Sequence, residues 1–139
     1  MKIKFYKRKH QYKYELAEQV EYPVPILGID YHNGYLDLWP DGMLTIRKCY
    51  AWDGPSGPTW DDNTNMVGSL IHDALYQLMR CEVIGRGYRP YADKLLHDIC
   101  IHDGMNETRA DLWFWGVRKF ASFAAKLKKK EQKVYEAGL

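Results

Sequence analysis

The chain has 139 residues, 46% of them apolar and 27% charged, with a formal net charge of +2. This is the composition of a soluble globular protein of one domain, long enough to bury a core without disulfides. Cys49, Cys81 and Cys100 are odd in number and follow no metal spacing. A disulfide-stapled secreted chain would be expected to show more of them, in an even number, so the thiols are expected as small buried side chains in a reducing cytoplasm.

No apolar run approaches the ~20 residues that span a bilayer. The basic stretch Met1 to His10 has no apolar segment behind it, so neither a signal peptide nor a transmembrane segment is expected. Charge is unevenly placed. Lys2, Lys4, Lys7, Arg8, Lys9 and Lys13 crowd one end, and Lys126, Lys128, Lys129, Lys130 and Lys133 the other. Such ends are usually solvated, and on their own they are weak grounds for a nucleic-acid partner; an anionic membrane surface is the other partner they suit.

In chain order, Ile3, Phe5, Tyr12 and Tyr14 alternate with polar residues as a strand does. Ile26 to Asp30 leads into Asn33-Gly34, a hairpin signal, and Tyr35 to Trp39 forms the next strand. Pro40-Asp41-Gly42 turns the chain and Met43 to Tyr50 returns it. Residues 1–50 thus predict an antiparallel β-meander of about three strands. Asp53-Gly54-Pro55-Ser56-Gly57-Pro58 breaks both periods and is a loop. From about Thr64 the period turns helical, with Val67, Leu70, Ile71, Ala74, Leu75 and Leu78 on one face and Gly85 and Gly87 ending the helix. Pro90 suits the first turn of a second helix, and Gly104 its C-terminal stop. Asn106 caps a third helix whose apolar positions are read as Leu112, Trp115, Gly116, Phe120 and Phe123, ahead of a basic tail. The expected fold class is α+β, divided into 1–50, 51–104 and 105–139.

The first helix carries a polar cluster. At 100° per residue, Ser69, His72, Asp73 and Tyr76 share about a quarter turn of an otherwise apolar surface. A histidine and a carboxylate there need partners, because burying either unpaired is costly. A short turn makes the second helix an antiparallel neighbour, and Asp93 on it can accept one imidazole N–H from His72. The other ring nitrogen is then a general base, with the Tyr76 hydroxyl orienting Asp93. Asp73, on the adjacent side, faces the glycine-rich loop, whose carbonyls suit a hard cation such as Ca²⁺. Tyr50, Trp52 and Trp60 flank that loop, where they either line an apolar mouth or cover the end of the sheet.

This pattern resembles a known family. The Gly54 to Pro58 loop, Asp61-Asp62 and His72-Asp73-Ala74-Leu75-Tyr76 are similar to the calcium loop and HDxxY helix of secreted phospholipase A2. Tyr91-Ala92-Asp93, 20 residues after Asp73, resembles the compact phospholipase domain of parvovirus capsid proteins. The loop with LIHDALYQL and ADKLLHD also resembles small uncharacterised proteins of tailed phages and prophages. The resemblance implies a phage-encoded, Ca²⁺-dependent lipid-ester hydrolase. His72 would be its base, Asp93 and Tyr76 its orienting groups, and Asp73 with Gly54, Gly57 and Asp53 its metal site. It also implies a place in the host bacterial cytoplasm or the virion. The family's flanking cysteines are replaced here by Gly68, Ser69 and Leu75.

Two blander readings stand beside it. The cluster can be a hydrogen-bonded network in a non-catalytic phage protein that binds a phage or host partner. The pairs His72-Asp73, His97-Asp98 and His102-Asp103 also suit an HD-type phosphohydrolase, although that class needs an all-helical bundle. His97 and His102 are expected at helix surfaces or C-terminal positions. Of Trp113, Phe114 and Trp115, two are expected in the core and one at the surface, with Trp113 the candidate surface residue; the helix is read first as core packing followed by a solvated lysine tail, and second as a helix lying on an anionic surface.

Overall fold

Among the described residues, the alternating first half forms seven short strands where about three are expected. In the computed structural model, which describes residues 1–8, 12–55 and 60–131 with side chains through Lys119, they precede three helices in an α+β arrangement. The strands are β1 (Phe5–Lys7), β2 (Tyr14–Leu16), β3 (Val20–Pro23), β4 (Tyr31–His32), β5 (Leu36–Leu38), β6 (Met43–Ile46) and β7 (Ala51–Trp52). They pair antiparallel in two sheets, ordered β1-β2-β7 and β3-β6-β5-β4.

The consecutive run β4-β5-β6 is the expected meander, and β3 adds to its β6 edge with Val20 opposite Ile46. At the β4–β5 hairpin Asn33 Oδ1 accepts the Tyr35 and Leu36 amides at 2.9 and 2.7 Å, and Gly34 takes φ +92. That is the work of an Asn-Gly pair. The first sheet closes through Tyr14 opposite Trp52, so the boundary expected after residue 50 falls inside a sheet.

Every residue of β5 is buried, including Asp37 at 1% exposure. Its carboxylate is held by Arg47 Nε at 2.6 Å and His32 Nδ1 at 2.7 Å, while His32 Nε2 meets Asp30 at 2.6 Å. A carboxylate accepts, so both contacts favour the doubly protonated ring, and Asp37 and then Asp30 raise the His32 pKa above its usual value.

Helix α1 (Met66–Arg80) buries the predicted apolar face against both sheets. It ends earlier than Gly85. Glu82 takes φ +60, its amide bonds the Met79 carbonyl at 3.0 Å, and the Val83 amide reaches Leu78 at 2.9 Å. This is a Schellman stop built on a non-glycine residue, which periodicity cannot reveal. Gly85 and Gly87 instead shape a single 3₁₀ turn, Arg86–Tyr88. Helix α2 (Arg89–His102) has Pro90 in its first turn. It closes at Gly104, φ +100, by the same motif: Gly104 N–H to Ile101 at 3.0 Å and Met105 N–H to Cys100 at 2.9 Å.

Helix α3 (Glu107–Glu131) starts at Asn106, whose Oδ1 accepts the Arg109 amide at 3.2 Å. Its buried face is Ala110, Trp113 and Val117, packed on Leu96, Cys100 and Met105. The expected Leu112 and Trp115 are exposed at 66% and 59%, and the side chains of Phe120 and Phe123 lie outside the described residues. Apolar residues occupy both faces of this helix, so spacing alone could not select the core side. Cys100 is buried as expected, but Cys49 and Cys81 are exposed.

Helices α1 and α2 run antiparallel: Gly68 faces Leu96 and Cys100, and His72 and Tyr76 both face Asp93. Glycine permits that approach, since a Cβ on residue 68 would lie 3.0 Å from both Cys100 Sγ and Leu96 Cδ1. Gly68→Val is expected to push the helices apart and lower unfolding stability by about 1–3 kcal/mol in urea titration. A neutral result would mean the contact is not tight.

Candidate functional site

One turn of α1 and the first half of α2 meet at a buried carboxylate. Asp93 is fully buried. Its Oδ1 receives His72 Nε2 at 2.7 Å and the Tyr76 hydroxyl at 2.6 Å, and its Oδ2 receives Arg118 Nη1 from α3 at 2.8 Å. Burial alone would raise the Asp93 pKa. The hydrogen bonds from His72, Tyr76 and Arg118 outweigh that and hold it below the usual carboxylate value. Tyr76 is pushed well above an ordinary phenol, first by burial and then by Asp93, so it remains a donor. Its ring lies 4.2 Å from that of His72, tilted by 31°.

His72 is 6% exposed. Because Asp93 is an acceptor, Nε2 carries the proton, and Nδ1 is the nitrogen that can act as a base. The nearest carboxylate to Nδ1 is Asp73 Oδ1 at 3.8 Å, an ion-pair separation beyond hydrogen-bonding range. Burial by itself would lower the His72 pKa, but Asp73 and Asp93 together raise it. The contrast with two other histidines is informative. Both nitrogens of His32 are occupied by carboxylates, and those of His97 meet Asp111 at 2.6 Å and Asp98 at 2.9 Å. Of these three rings, only His72 has a nitrogen with no carboxylate in hydrogen-bond reach.

His97 is not the surface residue expected. It is 9% exposed between α2 and α3, with the Phe114 ring 5.6 Å away. Its position clamps the helices and keeps it apart from His72, while His102 is exposed as the last residue of α2. The three His-Asp pairs therefore do not converge as a phosphohydrolase would require.

The candidate metal residues are less assembled. Asp73 is about one-third exposed (32%) and also bears on the buried Tyr50 hydroxyl, which donates to Gln77 Oε1 at 3.1 Å. Gly54, at φ +79, packs against Tyr14 and Asp61, whose hydroxyl and carboxylate bond to each other. Asp53 is exposed and Gly57 lies outside the described residues. Among the described residues, no group of three or more His, Cys, Asp or Glu is arranged to hold a metal.

The expected apolar mouth is corrected in part. Trp52 is 1% exposed, with its ring 5.6 Å from that of Tyr14 and its Nε1 donating to Ser69 Oγ at 3.2 Å. As β7 pairs with β2, this side chain is drawn into the core and cannot line an opening. Trp113 is likewise buried at 4%, and Trp115, two residues on, is the exposed member. Trp60 is exposed at 64%, beneath the Arg109 guanidinium at 4.1 Å. Two cavities of about 330 and 340 Å³ lie toward the N-terminal end of α1, both touching Met1, Val67 and Asp103; neither includes His72, Asp73 or Asp93.

Arg118 is the site residue that sequence reasoning missed. It stands beside the buried Val117 and is followed directly by Lys119, so no local signal singles it out. Comparison of the chain with protein-family models, curated protein sequences and solved structures finds no match in any of the three. No helix among the described residues is long and apolar enough to cross a membrane.

Proposed function

We propose that His72 and Asp93 form a general-base centre for hydrolysis of a lipid ester, in a phage-encoded protein of phospholipase A2-like design. The observation that carries this reading is the His72 ring, fixed through Nε2 by a buried carboxylate and leaving Nδ1 outside any hydrogen bond to a carboxylate. Nδ1 would take a proton from water as its oxygen attacks the ester carbonyl. The imidazolium so formed, steadied by Asp93, would return that proton to the alkoxide as the acyl–oxygen bond breaks, giving fatty acid and alcohol. Asp93 needs no proton of its own, because Tyr76 and Arg118 keep it ionised.

Asp73 would be the residue to hold Ca²⁺, with loop carbonyls such as that of Gly54 beside it. The cation would supply polarisation of the carbonyl when bound. The fit is partial, since Asp73 is the one carboxylate placed beside the His72 Nδ1 and the remaining ligands would come from the loop. A second reading, a non-catalytic phage protein that keeps this helix pair as scaffold for a phage or host partner, is favoured by the burial of His72 and Trp52.

Fatty-acid release from anionic ester-lipid vesicles, with calcium and with a chelator, separates the two. Release that needs calcium, together with saturable calorimetric binding of Ca²⁺ lost in Asp73→Asn, is the expected result. Wild-type protein that neither releases fatty acid nor binds calcium would transfer the conclusion to the scaffold reading.

A further inference from the structure

The cavities of about 330 and 340 Å³ share a wall made by Met1, Val67 and Asp103, and each has the volume of a small-molecule site. Tyr22, Val67, Leu95 and Ile99 give the first an apolar and aromatic lining, and Ile3, Phe5 and Met66 do the same for the second. Asp103 is set into this wall with little to hold it. It caps the C-terminal end of α2, the negative pole of the helix, where a carboxylate is disfavoured. Its Oδ2 is sheltered from solvent and has no hydrogen-bond partner. Burial pushes its carboxyl above the usual value, while the Met1 ammonium and His102 pull the other way from a distance. Asp98, the other acid of the first cavity, is already met by Lys94 at 3.1 Å and His97 at 2.9 Å. The Tyr22 phenol registers the same negative field: burial, then Asp103, then Asp98 push its pKa up.

We infer that this cleft binds a small organic cation, a primary ammonium carried on an apolar chain, with Asp103 as its counter-ion. An ammonium brings three donors and a positive charge, so it satisfies the unpartnered carboxylate and the negative pole of α2 together. The chain it carries lies against Val67, Leu95 and Ile99, and the Tyr22 ring offers a face to the cation. Met1, 52% exposed and in neither strand nor helix, covers the junction, and a ligand that moves it aside reaches Oδ2. Lys2 and His102 border the cavities from exposed positions and leave the centre to the ligand. A neutral apolar ligand would leave the sheltered carboxylate unpaired, and an anion would be repelled. A bare metal ion suits these apolar walls poorly, and no three His, Cys, Asp or Glu are grouped for one among the described residues. Neither cavity includes His72 or Asp93, so binding here is independent of hydrolysis.

Hexylammonium, 1-hexanol and hexanoate share one chain and differ only in the head group. Titrating each into isotope-labelled protein at neutral pH, followed by amide NMR, isolates the charge. Hexylammonium should bind saturably and at least roughly tenfold more tightly than 1-hexanol, with hexanoate weakest. The amide shifts should centre on Tyr22, Val67 and Asp103. Asp103→Asn should abolish the preference for the amine over the alcohol while keeping the fold, since asparagine is well suited to a helix C-terminus. Leu95→Trp, which fills the first cavity, should weaken amine binding by roughly tenfold or more. Asp41→Asn, an exposed acid between β5 and β6 that borders neither cavity, should change nothing. The inference is overturned if the amine does not bind at millimolar concentration, or if 1-hexanol or hexanoate binds as tightly. It is also overturned if the shifts gather away from the cleft, or if Asp103→Asn leaves the preference intact. The comparison of head groups needs only the wild type, so it decides the matter even where a variant fails to fold.

Discussion

Asp93→Ala is expected to lower the unfolding free energy by about 3–5 kcal/mol in urea titration at neutral pH. The carboxylate is fully buried and bonded by His72, Tyr76 and Arg118. Removing it strands a cation and a phenol that have no other described partner at the site. His72 can shed its proton and so avoid part of the cost, and the Arg118 side chain is 32% exposed, so water relieves the rest. The loss should fall nearer the lower end of the range. Asp93→Leu combined with Arg118→Met should recover much of it, because replacing a whole buried pair by apolar groups is often neutral, whereas breaking one is not. A loss below about 1 kcal/mol for the single alanine variant would mean that Asp93 is not held as described. The pH dependence has a definite sign. The Asp93 pKa is depressed in the folded protein, so its contribution is present above the unfolded value of ~3.9 and disappears as pH falls through the lower folded value.

The helix pair could be read from sequence because three independent signals coincide there. The 3.6-residue period of α1, Pro90 at the start of α2 and Gly104 at its end each follow from backbone chemistry that acts locally. The first half was less legible for the opposite reason. Ala51 and Trp52 join β2 across more than thirty residues of chain, and a two-residue strand leaves no period to detect. Glu82 in a left-handed conformation is another case: glycine is the usual marker of such a stop, so its absence delayed the predicted end of α1 to Gly85. In α3 the difficulty was ambiguity. Trp113 and Val117 look toward α2 and Leu112 and Trp115 look outward, yet all four are apolar.

At the site, legibility tracked distance along the chain in the same way. His72, Tyr76 and Asp93 lie on two neighbouring helices with a short connection, so their meeting follows from helical spacing. Arg118 arrives from a third helix, 25 residues beyond Asp93, and nothing in its local sequence marks it as a partner. The same is true of His97, whose clamp by Asp111 depends on how α3 crosses α2. A histidine followed by aspartate is thus three different objects in this chain: a candidate base at 72, a helix clamp at 97 and an exposed helix end at 102.

His72→Ala is expected to reduce ester hydrolysis by roughly 10²- to 10⁴-fold, the range for losing a positioned general base. The fold should survive, since Asp93 keeps Tyr76 and Arg118 as donors. Asp93→Asn should lose a comparable factor while retaining the imidazole. Its amide can donate to Nε2, which places the ring proton on Nδ1 and removes the lone pair that would accept from water. The pH profile follows from the direction of the His72 shift. Its pKa is raised above the ordinary ~6.5, so neutral ring, and with it the rate, should increase as pH rises through the folded value. Stability should move the other way. The pairing of the imidazolium with Asp93 and Asp73 contributes fully below ~6.5 and is lost as pH climbs through the raised pKa. Rate and stability crossing in opposite directions over the same interval would tie both to one proton on His72. A rate that falls between pH 6 and 8, or that is unchanged in both variants, would remove His72 from the chemistry.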